Sequence, residues 1–324
     1  MKALITGGAG FIGSHLTGKL LAEENQVAVI DNLSTGSLEN IIGFKANPDF
    51  AFVEGDIRQL ELIEPLVEQC DVIYHLAAAV GVKLIAEDPV HTIETNIGGT
   101  EIVLNAANHF GKKILLASSS EVYGKSDSIP FREDDDIVLG STSVSRWSYA
   151  CSKAIDEFLG LAFNQQYGLG VVICRFFNTI GPGQTGQYGM VVPRFVQNAL
   201  KNEPIQICGT GKQTRCFSYV GDLIDAITKL MDCEKAMGKV YNIGSNEEIS
   251  IEELADKIIS MTGSKSKKQF VSYEQAYGRP IEDMMRRVPS IERINKTIGW
   301  EPKTSLDEIL SEIIESESKK KGVL

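Results

Sequence analysis

Short apolar runs and longer amphipathic stretches alternate through the first half of the chain. Lys2–Thr6, Gln26–Asp31, Phe50–Glu54, Asp71–Leu76 and Lys113–Ser118 read as strands. Between them Ser14–Glu24, Gln59–Cys70 and Ile93–Gly111 carry helical spacing. Strands that are apolar throughout and separated by helices predict a parallel sheet covered on both faces. A longer helical stretch, Tyr149–Tyr167, leads into a further strand at Gly170–Arg175. After about Asn178 the texture changes. Ile180–Gly189 is rich in Gly and Gln and reads as a loop. Helices follow at Val192–Asn202, Tyr219–Met231, Ile251–Thr262 and Ser305–Ser316, with strands at Ile205–Ile207 and Val240–Ile243. The expected class is α/β, a doubly wound parallel sheet over residues 1–178 with a smaller mixed α/β lobe over 179–324. The segment 216–245 is positioned to return to the first sheet.

Composition narrows the functional classes. The chain has 324 residues and a formal net charge of −11, so an acidic surface argues against nucleic acid as a partner. Its 43% hydrophobic and 23% charged residues are those of an ordinary globular protein. The longest apolar runs fall short of the roughly 18 residues a membrane span needs. The N-terminus runs straight into a strand and a glycine turn, without a leader-like basic and apolar pair of regions. Six cysteines lie scattered without C-x-x-C pairs, and four histidines form no H-E-x-x-H. A metal site is therefore not expected, and a cytoplasmic location is.

The first chemical signal is Thr6-Gly7-Gly8-Ala9-Gly10-Phe11-Ile12-Gly13-Ser14, between a predicted strand and a predicted helix. Gly7, Gly10 and Gly13 serve the tight turn, the close approach of backbone amides to a pyrophosphate and the helix–strand contact. The helix N-terminus then faces the anion. The second strand ends in Asp31, suited to accept hydrogen bonds from an adenosine ribose, and Asn32–Gly36 holds no arginine for a 2′-phosphate. NAD is expected rather than NADP, in a Rossmann-type sheet. Asp56-Ile57 and His75-Leu76-Ala77-Ala78 follow further strands, where such sheets bind ligands.

The second signal is Tyr149-Ala150-Cys151-Ser152-Lys153. Tyr and Lys four apart share a helix face, and a nearby ammonium is expected to lower the phenol's proton affinity. A tyrosine so tuned removes a hydroxyl proton. Ser118-Ser119-Ser120-Glu121-Val122-Tyr123-Gly124 follows the fifth strand and offers hydroxyls and one carboxylate beside the nicotinamide. Glu121 is the informative residue, because simple hydride transfer needs no further acid or base.

Taken together these motifs resemble the extended short-chain dehydrogenase/reductase superfamily, in particular its NAD-dependent nucleotide-sugar epimerases, dehydratases and decarboxylases. The resemblance runs nearly end to end and includes Asn96, Arg175–Asn178 and Gly209–Asp222. It implies tightly held NAD, a UDP-, dTDP- or GDP-sugar substrate, and a homodimer formed by a four-helix bundle. It also implies that Asn178, Val192, Arg194 and Arg215 approach the nucleotide diphosphate, where a guanidinium fork suits phosphate.

Within that group, Ser119–Gly124, Arg146-Trp147 before Tyr149, and Tyr277-Gly278 with Asp283, Arg287 and Pro289 look like UDP-glucuronate decarboxylases (UDP-xylose synthases). Gly299–Lys303 agrees. An arginine at Arg287, or at the adjacent Arg286, is then expected to attend the sugar carboxylate or the diphosphate, with Arg194 an alternative cation for the carboxylate. Ser120 stands where apiose synthases carry Cys and where 4,6-dehydratases carry an acid. The expected reaction is oxidation at C4 by Tyr149 and Lys153 with Ser119 and Ser120 on the C4 oxygen, then decarboxylation to UDP-xylose assisted by Glu121. The alternatives are a 4-epimerase acting on UDP-glucose or UDP-glucuronate, suggested by Gln187–Arg194, and a 4,6-dehydratase. A non-catalytic NAD-binding regulator would be expected to have lost the Tyr/Lys pair.

Overall fold

The structure, a computed structural model, describes residues 1–81, 88–186, 190–277 and 284–320. Gln187–Gly189 and Gly278–Asp283 lie outside the described residues, as does the side chain of Tyr277.

Seven parallel strands form the central sheet: β1 (Lys2–Thr6), β2 (Gln26–Asp31), β3 (Phe50–Glu54), β4 (Val72–His75), β5 (Lys113–Ser119), β6 (Val171–Phe176) and the last strand, Lys239–Ile243. In space the last strand lies outermost, followed by β6, β5, β4, β1, β2 and β3. The strand order reverses between β1 and β4, which opens a crevice at their carboxyl ends. Successive residues point to opposite faces, and both faces are covered. Leu4, Ile30, Ile73, Ile114 and Ile173 pack with Ile63 and Val67 of α2 (Leu60–Gln69) and with Val103 and Leu104 of a helix at Gly99–His109. Ala3, Ile5, Val27, Val29, Tyr74 and Leu115 pack on the other face with α1 (Phe11–Ala22) and a helix at Val220–Met231. This double coverage is why the strands read as unbroken apolar runs.

Several expected boundaries change; the long helix starts at Arg146 rather than Tyr149 and the last helix runs to Lys320 rather than Ser316. The helical stretch expected at Ile93–Gly111 is three pieces: α3 (Pro89–Ile93), a π turn at Glu94–Gly98, and α4 (Gly99–His109). Pro89 and the Asp88 side chain, which accepts from His91 N at 3.2 Å, start it four residues early. The first helix starts at Phe11 rather than Ser14, because Gly10 is already its N-cap. The long helix α5 (Arg146–Tyr167) ends at Gly168, whose φ of 73° supplies the left-handed cap.

The strand at Lys239–Ile243 pairs with β6 in parallel, so the chain does return to the sheet from the second half. Between and after these returns the smaller lobe has its own core. Val192, Phe195 and Val196 of α6 (Val191–Lys201) meet Leu254 and Ile258 of a helix at Ile251–Thr262. Ile309, Leu310 and Ile313 of the last helix, Leu306–Lys320, complete it. The Gly299–Lys303 segment ties the two halves: Trp300 Nε1 donates to Asp222 O at 3.0 Å, and the Asp222 carboxylate accepts from Lys303 N and Thr304 N. Among the described residues no helix is long and apolar enough to cross a membrane.

Candidate active site

A cleft of about 550 Å³ opens over the carboxyl ends of the central strands and is roofed by the smaller lobe. Of the residues singled out in the sequence, Gly7, Gly10, Phe11, Ile12, Gly13, Asp31, Asn32, Ile57, Leu76, Ala77 and Ala78 line it at one end. Ser118, Ser119, Ser120, Glu121, Tyr149, Lys153, Asn178, Val192, Arg194, Arg215 and Arg287 line the middle and the other end. Asp56 and Asn96 do not line it. Arg58 holds both oxygens of the Asp56 carboxylate at 2.8 Å. Asn96 is fully buried inside the π turn and spans Ala79 N and the Ser152 hydroxyl, at 2.8 and 3.1 Å.

The glycine end is shaped by what has been left out. Gly7 sits at φ 73°, and a Cβ there would meet the Ala77 backbone at 2.8 Å. A Cβ on Gly13 would come within 2.3 Å of Gly7 O. The cradle therefore keeps strand, turn and helix in backbone contact and exposes the helix N-terminus to the cleft. Beside it the buried Asp31 carboxylate accepts from Ala9 N at 3.0 Å and Leu33 N at 2.8 Å. Burial pushes its proton affinity up and these two amides pull it back. This is the cradle and acidic partner that fit NAD: the amides suit the pyrophosphate and Asp31 the adenosine ribose.

The opposite end is built from guanidinium groups. Arg146, Arg194, Arg215 and Arg287 line it together with, among the described residues, a single carboxylate there, Glu121. Glu121 follows β5 in a short 3-10 turn capped by the Ser119 hydroxyl, which accepts from Glu121 N at 3.2 Å. Arg287 Nη2 reaches Glu121 Oε1 at 2.8 Å and Arg146 Nη2 reaches Oε2 at 3.3 Å. Burial pushes the Glu121 carboxyl up, but Arg287, Arg146 and Arg215 outweigh it and hold it at about 2. Arg146 stands in the first turn of α5, where the helix dipole disfavours a cation, and the facing carboxylate offsets that cost. Arg287 is only 6% exposed, its Nη1 reaches the Ser120 hydroxyl at 3.4 Å, and its Nε has no hydrogen-bond partner among the described residues. Arg286 turns outward onto Glu248 through two 2.8 Å contacts. Of the two adjacent arginines, Arg287 is therefore the one in the cleft.

Tyr149 lies between the two ends, buried and hydrogen-bonded to the Ser119 hydroxyl. The expectation that Lys153 lowers its proton affinity is corrected by what surrounds it. Burial raises the phenol strongly and the Glu121 charge adds to this; the Ser119 hydrogen bond and Arg287 act in the other direction. The Lys153 ammonium is already committed to Asp156 Oδ2 at 3.1 Å. Asn178 Nδ2 donates to Cys216 O at 3.0 Å, and Arg175 makes a buried two-pronged pair with Glu157. The Ser118 hydroxyl donates to the same Glu157 carboxylate.

Sequence reasoning had not assigned roles to Arg146 or Asp156. Each stands one helical turn from a residue it had found, Arg146 three before Tyr149 and Asp156 three after Lys153, so i±3 spacing was the available signal.

Fold, glycine cradle, Asp31 and the Tyr149/Lys153 helix define a short-chain dehydrogenase/reductase. The sequence family described as GDP-mannose 4,6 dehydratase matches residues 4–313. The chain belongs to that family. It is 41% identical over 315 residues to a UDP-N-acetyl-alpha-D-glucosaminuronate decarboxylase of Bacillus cytotoxicus, covering 97% of each chain. It is 36% identical to UDP-glucuronic acid decarboxylase 1 of Danio rerio, covering 97% of this chain and 72% of that protein. Among solved structures it is similar to UDP-glucuronic acid 4-epimerase from Bacillus cereus in complex with UDP-glucuronic acid and NAD. The TM-score is 0.89 at 29% identity, with 99% and 100% of the chains covered. The protein is an NAD-dependent enzyme of nucleotide-sugar modification.

Proposed function

We propose that the enzyme decarboxylates a UDP-uronate, with UDP-glucuronate giving UDP-xylose. The observation that carries this reading is the guanidinium-lined end of the cleft, where Arg287 is buried beside Glu121 and its Nε–H has no hydrogen-bond partner among the described residues. A buried cation with a spare donor suits a second carboxylate, that of the sugar at C6.

NAD+, which the glycine turn Gly7–Gly13 and Asp31 would hold, would supply the hydride acceptance from C4 and its later return. Tyr149 takes the proton of the C4 hydroxyl, and the Ser119 hydroxyl holds the same oxygen. With a ketone at C4 the sugar acid is a β-keto acid. The C5–C6 bond breaks, CO2 leaves, and the bonding pair is held as the C4–C5 enolate. A proton drawn from water then adds at C5, and Tyr149 gives its proton back to O4 as the C4 ketone is reduced. Arg287 and Ser120 orient the carboxylate so that the breaking bond is aligned with the carbonyl. Glu121, ionised under its three arginines, is a poor proton acceptor; its part is to hold Arg287 in place. Arg215 and Arg194 receive the diphosphate.

The relative that acts on a 2-acetamido uronate favours a second reading in which C2 carries an N-acetyl group and the chemistry is the same. We infer a homodimer as well. Phe158 is 68% exposed on α5, and Val90 and Ile93 on α3 are 63% and 39% exposed. These exposed apolar side chains lie on two neighbouring helices and offer a surface that a partner's helices would cover. Purified protein incubated with NAD+ and each UDP-uronate, followed by proton NMR of the anomeric region, tests the reaction. A UDP-xylose pattern from UDP-glucuronate supports the first reading, and turnover of the acetamido acid alone supports the second. A C4-inverted uronate from either acid makes the enzyme an epimerase and removes both.

A further inference from the structure

Arg287 and its partner Glu121 reach the cleft from distant stretches of the chain, and one buried cluster behind the cleft holds both stretches. Glu121 and Ser120 stand in the 3-10 turn Ser120–Tyr123, which Tyr123 closes. The Tyr123 ring stacks on Phe131, with centroids 4.5 Å apart and planes 9° from parallel. Phe131 in turn pairs with the chain just after Arg287. Phe131 N donates to Val288 O at 2.8 Å, and Ser290 N donates to Phe131 O at 2.8 Å.

Asn242, on the last strand of the central sheet, joins these pieces. Its Nδ2 donates to Phe131 O at 2.9 Å and to Ser290 O at 3.3 Å, and its Oδ1 accepts from the Tyr123 hydroxyl at 2.7 Å. The neighbours fix the direction of the amide. Two backbone carbonyls can only accept, so the NH2 group faces them and the oxygen is left for the hydroxyl. Opposite Asn242 on β6 stands Arg175, whose guanidinium lies 4.6 Å from the centre of the Tyr123 ring and is anchored by Glu157. Tyr123, Phe131 and Asn242 are fully buried, and none of them lines the cleft. A buried polar group with each partner in place favours a single arrangement of the segments it joins.

We propose that Asn242 and Tyr123 are positioning residues for recognition of the sugar acid. With Phe131 they set the Arg287 segment against the Ser120–Tyr123 turn, so that the guanidinium meets Glu121 at 2.8 Å and Ser120 at 3.4 Å. The inference rests on Arg287 receiving the sugar carboxylate. A guanidinium–carboxylate contact depends on where the flat fork lies. A slip between the two segments therefore weakens an acidic sugar and leaves a neutral one, the diphosphate and the cofactor as they were.

The test is calorimetric titration of UDP-glucuronate and UDP-glucose into the NAD-loaded wild type, Tyr123→Phe, Asn242→Leu, the double variant and Arg287→Met, with NAD affinity and a thermal melt for each. Asn242→Leu fills similar space without hydrogen bonds and is expected to cut the preference for the acid about fivefold, with UDP-glucose and NAD affinities within about twofold of wild type. Tyr123→Phe keeps the stack and loses one hydrogen bond, so a loss of about threefold is expected. It decides the point alone if Asn242→Leu does not fold. Both changes break the same bond, so the double variant should lose no more than Asn242→Leu. An unchanged preference in either folded single variant overturns the proposal. So does equal weakening of acid, neutral sugar and NAD, which a merely structural role would give. Wild type and Arg287→Met separate the two levels. If wild type shows no preference for the acid, the carboxylate reading fails and the proposal with it. If Arg287→Met loses the preference and the Tyr123 and Asn242 variants keep it, only the positioning role fails.

Discussion

Among the described residues the cleft holds two acidic side chains, one at each end, and they are kept in opposite ways. Asp31, at the glycine end, is buried with two amide donors and has its proton affinity pushed up. Glu121, at the other end, is held at about 2 by Arg287, Arg146 and Arg215 against the effect of burial. The glycine end presents backbone amides and one carboxylate, in a space defined by absent side chains. The other end presents charge. On the proposed reading the substrate's diphosphate and sugar carboxylate meet side-chain cations at the second end, whereas the cofactor's pyrophosphate meets backbone amides at the first.

The largest expected effect is neutral to that contrast, since Tyr149 serves both ends. Tyr149→Phe is expected to reduce kcat by roughly 10²–10⁴, the usual size of a lost general base, with binding of both ligands retained. Arg287→Met then separates the ends. It should lower kcat/KM for UDP-glucuronate by about 10²-fold or more while NAD affinity measured by calorimetry stays within twofold. Gly13→Ala is the converse. Its Cβ has 2.3 Å to Gly7 O, so NAD affinity should fall at least about tenfold and UDP affinity should not. If Arg287→Met weakens NAD as much as it weakens the sugar acid, the division of the cleft is wrong.

The smallest effects are on stability, and they have opposite signs. Glu121 is depressed in the folded state, so its contribution is present above its ordinary value of 4.5 and is lost as pH falls towards about 2. Glu121→Gln should lower Tm by several degrees at pH 7 and converge on wild type as pH falls through that window. Asp31 is raised above its ordinary 3.8, so its charged form costs stability at neutral pH and that cost disappears below this value. Asp31→Asn should therefore raise the Tm of the cofactor-free protein slightly, by about 1–2 °C at pH 7, with no gain in acid. Equal signs for the two variants would contradict the electrostatic contrast.

How much of this was legible in the sequence follows the same division. β1, β2 and β3 begin and end where the apolar runs do, because each run is bounded by a turn residue or a charge. The glycine end depends on backbone and adjacent positions, so residues 6–13 and 31 disclosed it. The π turn at Glu94–Gly98 was not legible: it differs from α-helix in hydrogen-bond spacing and not in residue type. The short helix Glu292–Ile298 was missed because its few apolar residues give no periodicity. At the substrate end, Glu121, Arg146 and Arg287 come from three distant segments, and only folding shows that Arg287 faces Glu121 while Arg286 faces Glu248. The neutralisation of Lys153 by Asp156 was written in the sequence as an i, i+3 pair, but its burial was not.

The central claim is that the guanidinium end of the cleft selects a sugar carboxylate. Calorimetric titration of UDP-glucuronate and UDP-glucose into the NAD-loaded wild-type enzyme and Arg287→Met tests it directly. The account predicts that wild type binds the acid at least about tenfold more tightly than the neutral sugar, and that Arg287→Met abolishes the difference by weakening the acid alone. Equal affinities in wild type, or a preference that survives in Arg287→Met, would contradict it.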